Sequence, residues 1–273
     1  MYITRFLALG LLLFAGSAAA ATPGSPLRPY TAQYKMSKGF ITVAKGKFRL
    51  QPTSKGCYLY TAHAHASGVV SLFRGDRIDE ESRFCIVDGK VRPEFYRFYH
   101  KGGNKDHNYT LTFDWGNRTV AIKRQDDKNA TTRKIPADAQ DDLSMQIELR
   151  RRLKAAGGAS APPMQVHLVT RNHNRTYTFR VEGTQKLNTE AGHYKTIRVA
   201  RAHPGDSQIS FWFAPALDYM PARINRAGPG VKLELTALPQ SPAAGVRSSR
   251  SGTGENAPVS DEIERHRRGG SNY

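Results

Sequence analysis

The chain has 273 residues, with 41 Lys and Arg against 23 Asp and Glu, so its net charge is +18 at neutral pH. Hydrophobic residues make up 39% and there are two cysteines, which supports one sizeable core and excludes a disulfide-framed miniprotein or a cysteine-ligated zinc module. After the first residues no run is long and apolar enough to cross a bilayer as a helix, which takes about 20 residues.

Residues 1–20 read as a secretory signal peptide. Arg5 supplies the positive start, Phe6 to Ala15 the apolar run, and Ser17 to Ala20 the small residues of a cleavage zone. The predicted location is therefore the periplasm. There, an even cysteine count predicts a disulfide between Cys57 and Cys85. A strongly basic chain in that compartment meets lipid head groups, acidic polysaccharide or acidic proteins, and nucleic acid is not expected.

Residues 21–27 form a short lead. Strands follow at Pro29–Met36, Lys45–Leu50 and Cys57–Ala66, where Tyr58 and Tyr60 share one face and His63 and His65 the other. Asp88-Gly89 turns Arg83–Val87 into Val91–His100. Tyr109, Leu111, Phe113 and Trp115 share a face, and Gly116-Asn117 turns the chain again. Gln125 to Arg133 is polar and reads as a hairpin tip.

One helix is predicted, over about Asp141 to Ala155, with Leu143, Ile147, Leu149 and Leu153 in one stripe. Asp142 and Ser144 are expected to accept from its free backbone N–H groups. Alternation resumes from Met164, with turns at Glu182-Gly183, Ala191-Gly192 and Pro204-Gly205. Phe211-Trp212-Phe213 is apolar on both faces, so this strand is expected inside a covered sheet, broken at a corner by Pro215 and Pro221. Val231, Leu233 and Leu235 mark the last strand. Residues 241–273 hold almost nothing apolar and are expected to be a disordered tail. The fold class expected is all-β: a twisted antiparallel sheet over residues 28–240, curled into a partly open barrel around one main helix.

Several stretches resemble the bacterial family called domain of unknown function 3108. They are Pro29-Tyr30-Thr31-Ala32-Gln33-Tyr34, Val91-Arg92-Pro93, Gln140-Asp141-Asp142-Leu143-Ser144, Ala191-Gly192-His193-Tyr194-Lys195-Thr196, and Trp212-Phe213-Ala214-Pro215 with Leu217, Tyr219 and Pro221. The resemblance spans about Arg28 to Leu238 and implies an exported protein with a partly closed sheet, similar in style to the half-barrel lipoprotein carriers of the envelope. It transfers no catalytic residue.

For chemistry, His63 and His65 are the metal-like pair, with His100, His107 or Asp106 as a third ligand; a polar strand face explains them as well, and no metal or cofactor is assigned. Ser71, Ser82, Ser144 and Ser210 lack an adjacent base, and no Gly-x-Ser-x-Gly elbow occurs. In Asp79-Glu80-Glu81, alternate carboxylates should point apart. The aromatics, above all Tyr58, Tyr60, Trp115, Trp212 and Tyr219, are the candidate ligand-binding residues, against the alternative that they only pack a core. The expected function is non-catalytic binding or carriage of a lipid or another amphipathic or anionic envelope component. The alternatives are a scaffold for an envelope protein and a hydrolase with an unrecognised site; for the protein as such, peripheral membrane contact is allowed and no transmembrane segment is expected.

Overall fold

In the computed structural model the residues described are 27–54, 56–68, 75–102, 107–201, 208–226 and 230–238. The signal segment, the tail, Ser71, Asp106 and the Pro204-Gly205 turn lie outside them. The described residues fall within one compact unit, Met1–Ser241.

The strands are β1 (Tyr30–Lys38), β2 (Ile41–Ser54), β3 (Cys57–Ala66), β4 (Arg77–Val87), β5 (Lys90–Lys101), β6 (Tyr109–Asp114), β7 (Thr119–Arg124), β8 (Thr131–Lys134) and β9 (Ala139–Gln140). Helix α1 (Ser144–Ala155) follows. Then come β10 (Met164–Val169), β11 (Asn174–Thr189), β12 (Gly192–Arg201), β13 (Ile209–Ala214), β14 (Met220–Arg226) and β15 (Val231–Ala237). All join one sheet in the order β8-β7-β6-β5-β4-β3-β2-β1-β15-β14-β13-β12-β11-β10-β9. Two meanders run outward from the central β1–β15 pair, and β8 and β9 are the edges, so the ladder does not close.

Register shifts at Gln33/Tyr34, Met36/Ser37, Pro52/Ser54, Arg83/Phe84, Val181/Gly183 and Trp212/Phe213 bend the strands. The sheet curls around α1. Side chains from both meanders and the helix form one core that includes Tyr60, Tyr96, Leu149, Leu153, Phe179 and Phe211. The helix is tied to both arms. Ser82 donates to the Asp141 carboxylate, the Val91 N–H to Glu148, and Arg152 to the Gln165 carbonyl.

Phe211 and Phe213 point into this core. Trp212 faces out, packed with Leu187, Ala214 and Ala222 and flanked by the guanidinium groups of Arg198 and Arg223 at 5.2 and 5.7 Å. The strand is thus covered on both sides, and Pro221 sits opposite Phe213 where the register breaks.

Three expectations are corrected. The β9–β10 pair is parallel, because α1 forms a crossover between those strands. The polar hairpin tip is shorter than expected: it spans residues 125–130, and the rest of the stretch belongs to β8, which pairs with β7. The helix begins at Ser144, and Asp141, not Asp142, receives its free donors: its Oδ1 accepts from the N–H groups of Leu143 and Ser144 at 2.9 and 2.8 Å.

Because antiparallel neighbours reverse at each hairpin, the sheet has two ends. The upper end carries the Gly39-Phe40 turn, the last residues of β3, β5, β10, β12 and β14, and the first of β4, β6, β11, β13 and β15. The lower end carries Asp88-Gly89, Ala191-Gly192 and the corner after β13. Helix α1 runs from upper to lower end, since Arg151 reaches the Gly89 carbonyl and Arg150 reaches Asp218.

A candidate ligand cavity

Between the two arms, beside the start of α1, lies a partly open cavity of about 410 Å³. Its walls are apolar: Phe98 and Tyr109 from one arm, Met145 from the helix, and Leu168, Tyr177, Phe179 and Ile209 from the other. Strand alternation aims these residues inward, and the antiparallel order brings strand ends distant in sequence to one place. Among the described residues the polar lining includes Arg171, Arg201, Arg226, His107, His173 and one carboxylate, Asp142. The cavity therefore opens at the upper end, where β12 and β14 end and β11 begins.

The Arg201 guanidinium lies 4.5 Å from the Tyr177 ring centroid, which fixes its plane against the wall. Arg226, at the end of β14, keeps more than a third of its surface in solvent. Its head nonetheless sits deep between the arms, so burial pulls its pKa down while Asp142 and Glu80 hold it up, and the net shift is upward. Solvent screens that coupling. Burial raises the pKa of Asp142, opposed by Arg226 and His173. Glu80, behind it, is also raised by burial and by Asp142, although the Tyr96 hydroxyl donates to it at 2.7 Å. His173 is pulled below its usual value by burial and by Arg175, which favours the neutral ring at neutral pH. Among the described residues the cavity thus joins an apolar body to a mouth with three arginines and one carboxylate.

The five aromatics singled out from sequence do not converge, and none of them lines this cavity. The Tyr58 hydroxyl accepts from the Leu27 N–H at 3.0 Å, and Tyr60 accepts from the Tyr30 hydroxyl at 3.0 Å, both inside the core. Trp115 stacks on Phe113 and donates to the Pro93 carbonyl. Trp212 lies on the outer face, and Tyr219 packs at the lower corner against Gly158. Four other aromatics, Phe98, Tyr109, Tyr177 and Phe179, do line it. The arginines were missed because their signal is positional: Arg201 and Arg226 end strands and Arg171 lies in the turn between β10 and β11, and only the strand order shows that these places meet.

His63 and His65 lie on the outer face. His63 Nδ1 is 2.6 Å from Asp79, which also accepts from Arg77 at 2.7 Å. Burial pushes the Asp79 carboxyl up, but these two partners outweigh it and hold it below the usual range. His100 lies 3.8 Å from Asp76, and His107 lines the cavity. Among the described residues only Cys57, Cys85 and Glu94 cluster as a metal site would, and the two sulfurs are joined in a disulfide. In Asp79-Glu80-Glu81 the middle carboxylate points inward and its neighbours outward, as alternation requires.

Against known proteins, the family model described as protein of unknown function (DUF3108) matches residues 30–236. No curated protein matches the chain. Among solved structures, it is similar to a β-barrel-like protein of domain of unknown function DUF1849 from Brucella abortus, at 13% identity and a TM-score of 0.51, over 78% of this chain and 98% of that one. A putative exported protein with YmcC-like fold from Bacteroides fragilis aligns at 9% identity and a TM-score of 0.32, over 79% and 97%. At such identities the first likeness speaks of fold alone. No helix among the described residues is long and apolar enough to cross a membrane.

Proposed function

The chain belongs to the DUF3108 family, whose description assigns no activity, and from that premise we propose that it is a non-catalytic binding module for an anionic amphipath, working in the periplasm. The observation that carries this reading is the cavity itself: apolar walls formed by both arms, and a mouth where, among the described residues, Arg171, Arg201 and Arg226 meet one carboxylate, Asp142. The apolar walls would bury a chain or ring system, and the guanidinium groups would hold a carboxylate or phosphate. About 410 Å³ suits one small amphipath rather than a whole two-chain phospholipid.

A hydrolase reading has one supporting observation, the raised pKa values of Asp142 and Glu80. It is the weaker reading, because among the described residues no serine or cysteine lines the cavity to serve as nucleophile. A scaffold role has no feature of the cavity in its favour.

The deciding experiment is native mass spectrometry of protein isolated from its own envelope, with a fluorescent fatty-acid probe titrated into the delipidated form. The proposal expects a bound anionic amphipath and probe uptake that Arg226→Ala weakens. An empty protein that also ignores the probe refutes it.

A further inference from the structure

Among the described residues the exposed large hydrophobic side chains are Phe40, Ile41 and Tyr99. Phe40, at the tip of the β1–β2 hairpin, is 107% exposed, and the adjacent Ile41 is 66% exposed. Neither is part of the core. A hairpin tip can use Thr, Asn or Asp at no cost to the fold, so two large apolar groups there call for an apolar partner.

Below the tip the outer face carries an aligned row of bases. The register pairs Lys35 with Lys45, Lys45 with His65, His65 with Arg77, and Arg77 with Lys101. Like charges placed directly opposite one another destabilise a sheet. Lys35 is neutralised by Glu190 and Arg77 by Asp79. Lys38, Lys45, His65 and Lys101 have no carboxylate partner among the described residues. Lys38 pairs with Ile41 beside the tip itself.

We propose that this end of the sheet docks on an anionic lipid bilayer, with Phe40 and Ile41 entering the interface and the Lys38, Lys45 and Lys101 charges facing the head groups. Charge complementarity selects this occupant: a bare apolar pocket on another protein would not need a row of bases behind the tip. The dimensions agree. Lys45 lies five residues from Phe40, about 16 Å along an extended strand. Side chains seated about 5–10 Å into the interface leave that row within roughly one Debye length of the lipid phosphates.

Topology adds a consequence. The Gly39-Phe40 turn is at the upper end, the same end at which the cavity opens among Arg201, His173 and Arg226. Docking by the tip turns the cavity mouth toward the bilayer, so an amphipath could pass between them. Docking rests on the tip and the bases alone and stands whether or not the cavity holds a ligand.

The test is cosedimentation of the full chain, as exported, with vesicles of phosphatidylcholine containing phosphatidylglycerol and with vesicles of phosphatidylcholine alone. Binding is expected to the anionic vesicles only and to weaken in moderate salt. Phe40→Ser with Ile41→Ser should lower vesicle affinity about tenfold or more, and Lys45→Glu should lower it further. The tip is outside the core, so these variants should fold; circular dichroism checks this. In the Phe40→Trp variant, tryptophan emission should shift to the blue with anionic vesicles. Equal binding by the double Ser variant, or unshifted emission from the Phe40→Trp variant, overturns the proposal. Loss of vesicle binding with retained probe uptake in the cavity separates this result from any failure of the binding-module reading.

Discussion

Arg150 of α1 donates to Asp218 twice, from Nε to its carbonyl at 2.6 Å and from Nη2 to its carboxylate at 2.5 Å. Lys154, one turn on, donates to the other carboxylate oxygen. Asp218 and Tyr219 both have positive φ, 51° and 60°, a region that bulky residues avoid and that costs about 1–3 kcal/mol per residue. The corner between β13 and β14 holds this shape because the helix clamps it. Burial would raise the Asp218 carboxyl, but Lys154 and Arg150 hold it below its usual value.

Arg150→Met should therefore cost about 2–4 kcal/mol in urea unfolding, since it leaves the Asp218 carbonyl and carboxylate short of donors. Asp218→Asn should cost less than Asp218→Ala, because Asn tolerates positive φ. Equal losses in the two variants would mean that backbone strain does not contribute.

Stability should fall as pH rises toward neutrality. Burial is the largest influence on Asp141 and, against the bonds from Ser144, Ser82 and Leu143, pushes its carboxyl from 3.8 up to about 7. A carboxyl raised in the folded state favours folding while protonated. That contribution is full below the unfolded value and is lost as pH rises through about 7. Glu80 and Asp142, also raised, add the same sign. Asp79, Asp218 and Glu234 are lowered, so their contribution is lost as pH falls through their folded values, below the usual carboxylate range. Urea midpoints measured from about pH 4 to about pH 8 should decline, and Asp141→Asn should flatten that decline. An unchanged slope in the variant would show that Asp141 stays ionised throughout.

Replacing Cys57 and Cys85 together by alanine should cost about 3–4 kcal/mol, because the disulfide closes a separation of 28 residues. The two residues face each other in the β3–β4 register. Thermal melts with and without reductant check this: the native chain should shift and the double variant should not.

Ile209→Trp should fill the cavity, since Ile209 is part of its wall and only partly buried. Probe uptake should drop about tenfold or more while the melting temperature moves by only a few degrees. Undiminished uptake would place the probe elsewhere on the protein.

Much of the fold was legible in the order of residues. Tyr109, Leu111 and Phe113 announce a strand with one buried face, and Leu143, Ile147 and Leu153 a helix with one buried stripe, because periodicity is local and records which side of each element meets water. Asp88-Gly89, Ala191-Gly192 and the prolines around Trp212 set hairpins and a corner through backbone geometry alone. Local pattern says nothing of which strand lies next to which. That β1 pairs with β15 follows from long-range packing, and this choice gathers Arg201, Arg226 and His173 at one mouth and sets Phe40 at the same end. The sequence thus determined most of the strands, the helix and the cysteine pair. Tertiary structure alone decided that Asp141 caps while Asp142 faces the cavity, and which aromatics line it, because both depend on how two distant arms close over one helix.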